Sequence, residues 1–271
     1  MMRLNYFQTK PKASAIDVNA YLKRIEAERK EPDLKYLKSL HRQHLLHIPF
    51  ENLDIHYKNK ILLDYKKIFE KVITNGRGGF CYELNGLFYH LLSHLGFDCY
   101  LISARVKNEH GTFGKDFDHM AIIVRLNEEQ WYVDVGFGNG VVYPKQIKIN
   151  TVQMDHINYW RIVHDPDENF LLQVSDDAST FETKLLFSSD EKQFIQFIEM
   201  CEYHQSSPDS SFTQNKLITQ LTHSGRVTLT DRKLKIVALG ETKEFEIMNE
   251  DEFLSKLQFH FNISFKQLLP Q

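Results

Sequence analysis

Three side chains in this sequence have the types and settings that nucleophilic catalysis uses: Cys81, His119 and Asp134. Cys81 ends the run Arg77-Gly78-Gly79-Phe80-Cys81 and opens an apolar helical stripe of Leu84, Leu87, Phe88, Leu91, Leu92 and Leu95. A thiol at a helix start meets unpaired backbone N–H groups and the positive end of the helix dipole, which favour thiolate. Gly78-Gly79 is expected to take positive φ and let the backbone approach a ligand closely. The same run also fits a buried structural cysteine behind a glycine turn. Cys99, at a strand start, and Cys201, on a stripe with Ile195 and Ile198, read as core filling.

A thiol nucleophile needs a base, and the base needs an orienter. Of thirteen histidines, His119 has the most suitable setting, where a loop enters the apolar run Met120–Val124. Asp134 is an acid inside the apolar strand Trp131–Val135, and a buried acid needs a donor, which an imidazole N–H supplies. Plain scaffold roles, a strand-start histidine and an edge-strand acid, are the alternatives.

The elements that must position these groups follow from hydrophobic periodicity. The first ~95 residues read as helical. Asp17 caps one segment, Pro32-Asp33 opens a second, a third covers residues 65–74 and stops at Asn75-Gly76, and the fourth begins at Cys81. Short apolar runs then read as strands: Cys99–Val106, Met120–Leu126, Gln130–Val135, Tyr159–Val163, Phe170–Val174 and Phe181–Leu186. Strands this close, with no helices between them, imply an antiparallel sheet or small barrel. Ser189 is expected to cap a helix presenting Phe194, Ile195, Ile198 and Cys201 on one face, followed by a polar loop over 204–214. Strands at 226–230 and 233–239 and a final helix with an Asn249/Glu252 capping box complete an α+β chain.

Composition bounds the function class. The 271 residues carry 33 Lys+Arg and 36 Asp+Glu, a net charge of −3 that argues against a broad nucleic-acid footprint. Three cysteines without a CxxC pair make neither a disulfide scaffold nor a thiolate zinc site. The Met1–Lys10 stretch lacks the apolar core of a signal peptide, and no run reaches membrane-helix length. The expectation is a reduced, cytoplasmic protein without metal, nucleic acid or membrane partners. His41, His44 and His47 lack an HExxH pattern and read as a partly exposed helical face.

Four blocks together resemble the arylamine N-acetyltransferases: His47-Ile48-Pro49-Phe50-Glu51-Asn52-Leu53, Arg77–Asn85, Asp118-His119-Met120 and Asp134-Val135-Gly136-Phe137-Gly138. The order and spacing fit the family through about residue 140, and the RGGxC and PFEN blocks are the specific part. The resemblance implies an N-terminal helical bundle (1–97) carrying the nucleophile and a central antiparallel β-barrel (98–187) carrying His and Asp. A C-terminal α/β lid (188–271) with an interdomain helix follows, around a cysteine-protease-like or transglutaminase-like core. It implies a Cys81–His119–Asp134 triad and ping-pong transfer of acetyl from acetyl-CoA, through a Cys81 thioester, to an arylamine or hydrazine. It further implies an Arg77–Glu51 structural ion pair, support from Asn85, and an aromatic pocket at Phe137 and Phe212.

Two features depart from the pattern: an acid, Asp118, precedes the histidine, and the Ser206–Phe212 run matches only loosely. Two other functions stay open on sequence. One is a different acyl transfer, amide formation or hydrolysis by the same triad. The other is non-enzymatic binding of CoA or another ligand on the same fold.

Overall fold

The computed structural model describes residues 16–269. The reading of Met1–Lys10 therefore lies outside the described residues.

Helix α1 (Val18–Arg24) is capped by Asp17, whose carboxylate accepts from Ala20 N–H at 3.0 Å. Helix α2 (Leu34–His47) is capped in the same way by Asp33 on Tyr36 N–H at 2.6 Å. A two-residue strand, β1 (Phe50–Glu51), leads into the short α3 (Leu53–His56). Helix α4 (Tyr65–Phe69) runs into a π-helical turn over Glu70–Thr74. Gly76, at φ +68°, then turns the chain toward α5 (Cys81–His94), a left-handed position where glycine carries no Cβ penalty.

Eight antiparallel strands follow: β2 (Asp98–Val106), β3 (His119–Leu126), β4 (Glu129–Val133), β5 (Lys145–Gln146), β6 (Gln153–Asp155), β7 (Asn158–His164), β8 (Phe170–Ser175) and β9 (Glu182–Phe187). Their order is β5-β4-β3-β2-β9-β8-β7-β6, so the two short strands form the edges of a nearly closed barrel. Side chains bridge those edges. The Gln153 amide accepts from Gln146 N–H at 2.8 Å and donates to Gln146 C=O at 2.9 Å, as a neighbouring peptide would. Lys145 and Asp155 form an almost fully buried ion pair at 3.2 Å across the same seam. Strand β3 is buried on both faces: Met120, Ile122 and Val124 pack on the helices, while Ala121 and Ile123 fill the barrel. That double burial is why its sequence is a continuous apolar run and not an alternating one.

The last part of the chain holds α6 (Ile198–Ser206), α7 (Ser211–Gln214), β10 (Leu217–Thr222), β11 (Gly225–Thr230), β12 (Lys233–Ala238), β13 (Glu241–Glu246) and α8 (Glu250–Phe261). Its sheet, β1-β10-β11-β12-β13, recruits β1 from the N-terminal segment by pairing Phe50 with Thr219. Among the described residues, no helix is long and apolar enough to cross a membrane.

Several local expectations are corrected. The helix near 190 starts later than Ser189, after a 3-10 turn at Phe194–Phe197. Its inward stripe is Phe197, Cys201 and His204, whereas Ile195 and Ile198 are 66 % and 48 % exposed. Residues 204–214 are not one loop: α6 extends through Ser206, and Ser210 caps α7. Strand β13 escaped the pattern because every residue in Glu241–Glu246 is exposed, leaving no buried face to produce alternation. His41 and His44 are fully buried, so α2 does not present a partly exposed histidine face there. They extend the stripe of Leu37 and Leu40 at helical spacing.

Replacing Gln153 with Ala removes the amide that satisfies both backbone groups of Gln146. The expected cost is about 1–3 kcal/mol, the range for leaving partly buried polar groups unpaired. Urea unfolding of the variant against the parent measures it.

Candidate active site

The loop before α5 is held from below by charge. Arg77, buried, donates through Nε and Nη2 to Glu51 Oε1 at 3.0 and 2.8 Å, and through Nη2 to Asp54 at 2.8 Å. Lys71, which the sequence reading passed over, lies 2.7 Å from Asp54 and 2.9 Å from Glu83. Glu83 in turn accepts from Phe80 N–H at 3.1 Å and so caps the first turn of α5. Two cations thus face three buried carboxylates. Burial raises the Glu83 carboxyl to about 7, and the Asp54 and Glu51 charges add to that against the opposing pull of Lys71. Burial would also raise Asp54, but Lys71 and Arg77 outweigh it and hold that group at about 2.

Gly78 and Gly79 work differently from the expectation. Neither has a positive φ. A Cβ on Gly78 would stand 2.1 Å from the Pro49 carbonyl oxygen, and one on Gly79 would meet the Glu83 side chain at 2.8 Å. They are needed for close packing against the PFEN segment, where Glu51 N–H donates to Gly79 C=O at 2.9 Å.

Above this base, α5 starts at Cys81 and β4 ends next to it. His119 Nε2 lies 2.7 Å from Asp134 Oδ2. The carboxylate takes three more donors: Tyr132 Oη at 2.7 Å, Asn85 Nδ2 at 2.8 Å and Gly136 N–H at 2.9 Å. Burial alone would raise the Asp134 carboxyl. His119 and the surrounding donors hold it below the usual range, so it stays ionised. Its acceptor role fixes the His119 tautomer, with the proton on Nε2 and Nδ1 left open. Asn85 is used at both ends, donating also to Met120 C=O at 2.6 Å and accepting from Val135 N–H at 2.9 Å. A Cβ on Gly136 would lie 2.8 Å from Cys81 Cα, so glycine lets the end of β4 sit against the start of α5.

Two members of this network are not assigned to the site from sequence: Tyr132 is not singled out, and His41 reads as part of a partly exposed helical face. Tyr132 is two residues before Asp134, and the strand period alone puts both side chains on one face. His41 accepts from Asp134 N–H at 3.3 Å through Nε2 and donates from Nδ1 to Val142 C=O at 2.9 Å. Those partners require a neutral ring, and burial lowers the His41 pKa to about 4. Its position on the Leu37–Leu40 stripe was the available signal.

Cys81, His119, Phe137 and Phe212 line one cavity of about 370 Å³, with Phe50, Asp118, His204 and Thr219 also in the wall. Phe137 meets the His119 ring edge-on at 5.4 Å. Phe212 packs near Phe50 and Phe80, and Asn52 pins its segment by donating to Phe212 C=O at 3.0 Å and Asn215 C=O at 2.9 Å. Asp134 and Asn85 stand behind His119, while Arg77 and Glu51 lie under the loop and outside this cavity. Cys81 is 2 % exposed. Burial pushes its thiol up, with the neighbouring Cys201, Asp118 and Asp134 adding to that and a backbone contact to Met120 opposing it. The helix-start effect expected from sequence is outweighed in the resting site, so thiolate forms only with a proton acceptor alongside.

A thiol, an imidazole oriented by a buried carboxylate, and an aromatic-walled cavity define an acyl-transfer class of site. The comparisons narrow that class. The N-acetyltransferase family profile matches residues 33–269. Proansamycin X synthase of Amycolatopsis mediterranei (strain S699) is 29 % identical over 89 % of this chain and 95 % of its own. The pineal gland arylamine N-acetyltransferase isozyme NAT-10 of Gallus gallus is 28 % identical over 88 % and 90 %. The solved arylamine N-acetyltransferase of Mycobacterium abscessus superposes with a TM-score of 0.84 at 29 % identity, covering 92 % of this chain and 90 % of its own. The chain belongs to the arylamine N-acetyltransferase family, whose members are acyltransferases.

The network has a consequence for pH dependence. His41 stays neutral in the fold down to about 4, whereas an unfolded imidazole takes up a proton below about 6.5. The unfolded state then binds more protons, so this group's contribution is present above 6.5 and is lost as pH falls toward 4. Glu83, raised to about 7, acts in the opposite sense, so the effect is read as a difference. The stability advantage of the parent over His41→Gln is expected to be larger at pH 7 than at pH 4.5, by about 2 kcal/mol. Urea unfolding of both proteins at the two pH values measures it, and an equal advantage at both would show that His41 is not held neutral.

Proposed function

We propose that the protein transfers an acetyl group from acetyl-CoA, through a Cys81 thioester, to an arylamine or hydrazine. The observation that carries this reading is the 2.7 Å His119–Asp134 contact beside Cys81 at the floor of an aromatic-walled cavity. His119 Nδ1 takes the thiol proton, and the imidazolium so formed stabilises the thiolate that burial alone disfavours. The thiolate adds to the acetyl carbonyl, and the backbone N–H groups at the start of α5, around Cys81, are the donors assigned to the developing oxyanion, since a helix's first turn has no intrahelical acceptors for them. Collapse of the adduct expels CoA thiolate, which His119 protonates. In the second half, His119 accepts the proton that the attacking amine sheds, and Cys81 leaves as thiolate. Asp134 keeps Nε2 protonated throughout and favours the imidazolium. Phe137 and Phe212 give the amine's ring an apolar wall. Arg77, Glu51 and Asn85 hold the loop and the carboxylate in place and touch no reacting atom. Along the chain, this assigns the nucleophile to a helical segment through residue 97, the base and orienter to the barrel, and the cover to the remainder.

A second reading, transfer of a longer acyl group by the same triad, has the likeness to a protein named as a synthase in its favour. Intact-protein mass spectrometry with a panel of acyl-CoAs separates the two. Acetyl-CoA should add one acetyl to Cys81, and an arylamine should discharge it. Adducts formed only with longer acyl donors would replace acetyl transfer by the second reading. Cys81→Ser should keep the fold and form no turnover-competent adduct; retained turnover would overturn the nucleophile assignment.

Activation of the thiol is tested separately. Iodoacetamide should alkylate Cys81 well below pH 8, and His119→Gln should slow it about 100-fold at pH 7, the lower end for loss of a general base. A midpoint near the free-thiol value of about 8.5, unmoved by the substitution, would contradict the pairing.

A further inference from the structure

Among the side chains lining the cavity with Cys81, one is a carboxylate, Asp118, and none is a lysine or arginine. His119 and His204 add two imidazoles, and the remaining wall is apolar or uncharged, with Phe50, Phe137 and Phe212 supplying ring-sized surfaces. Asp118 stands in the position directly before His119. Its carboxylate is held firmly: Oδ2 accepts from Val106 N–H at 3.0 Å, and a Cβ on Gly114 would meet that oxygen at 2.4 Å, so the loop passes directly against it. Oδ1 is held less completely. His204 Nε2 lies 3.2 Å away but is not aligned for a hydrogen bond and makes none elsewhere. On its far side, His204 Nδ1 contacts Ser210 Oγ at 3.1 Å, and its ring packs edge-on to Phe212 at 5.2 Å. Arg226, the cation near this wall, donates to Gly138 C=O and Thr219 Oγ1 and does not itself line the cavity. The cavity therefore presents aromatic faces and one carboxylate with spare acceptor capacity.

We propose that Asp118 is the specificity-determining residue for the acceptor. It draws in arylamines and hydrazines whose second substituent is cationic or donates hydrogen bonds, and it turns away those bearing a carboxylate. This rests on the acetyl-transfer reading above. A carboxylate on the acceptor would be brought beside Asp118 in a cavity of low polarity, where like charges repel more strongly than in water. A cationic or N–H donor group would meet an oxygen that no protein donor fully occupies. Asp118 acts on binding and takes no proton in the reaction.

The test uses three arylamines of one shape and stepped charge: 4-aminobenzoate, 4-aminobenzamide and 4-aminobenzamidine. The parent and Asp118→Asn are compared by kcat/KM for each acceptor, with acetyl-CoA as donor. The side-chain amide that Asp118→Asn introduces still offers an oxygen to Val106 N–H. Dividing parent by variant cancels the ring electronics and the shared acylation step. The parent should favour the amidine over the benzoate, although the amidinium withdraws electrons and makes the intrinsically weaker nucleophile. Asp118→Asn should reduce that preference about tenfold, chiefly through KM. A preference unchanged in the variant, or a parent that favours the benzoate, overturns the proposal. The parent series alone decides the sign should the variant not fold. If acetyl-Cys81 forms but no amine discharges it, or if it never forms, the acetyl-transfer reading fails, and the acceptor proposal with it.

Discussion

The structure depends on ionising and burying one carboxylate, Asp134. A buried charge is tolerated only when its lone pairs are met, and four donors meet these. They come from helix α5, from strands β3 and β4, and from the turn after β4. A fifth contact, from His41 on α2 to the Asp134 backbone, brings in another helix. Satisfying that group therefore fixes the relative positions of the helices and the barrel. His119 is one of the donors, so its orientation follows from the same requirement. Structural demand and catalytic geometry coincide at this carboxylate.

A second buried cluster sets the height and direction of the nucleophile. Arg77 and Lys71 neutralise most of the charge on Glu51, Asp54 and Glu83, and Glu83 spends an oxygen on the first turn of α5. The cluster ties the PFEN segment, the π-helical turn and the nucleophile loop into one rigid unit. Burial raises Glu83, and the cluster's asymmetry, three acids to two cations, adds to that through Asp54 and Glu51. The same PFEN segment also holds the opposite wall. Phe50 lines the cavity, β1 joins the C-terminal sheet, and Asn52 anchors the stretch that carries Phe212. A motif of four residues thus links base, floor and cover of the cavity.

The resting thiol shows how environment and position compete. A helix start favours thiolate, but a cysteine at 2 % exposure near two carboxylates is pushed the other way. Burial restrains ionisation, and His119, already oriented by Asp134 in the same cavity, is the group proposed to offset it. Asp118 contributes to that restraint while facing the cavity.

Local chemistry was enough to read much of this from sequence. Helix α1, α2, α5 and α8 boundaries follow from capping residues and glycine stops, and the long strands follow from apolar runs, because those signals act within a few residues. The Cys81, His119 and Asp134 candidates were likewise visible through their immediate settings. What was not legible depends on partners far along the chain. His41 and His44 looked like a partly exposed helical face until burial against Phe88, with His41 Nδ1 on Val142 C=O and His44 Nδ1 on Tyr21 Oη, placed them in the core. Lys71 carried no local signal, and only the fold surrounds it with three acids from residues 51 to 83. Gly78 and Gly79 suggested ligand approach, but packing against Pro49 and Glu83 is what requires them. Sequence alone determined residue type, period and cap, since these are short-range. Only the tertiary structure decided which polar groups are buried and with whom, because the cost of burial depends on partners that sequence separation hides.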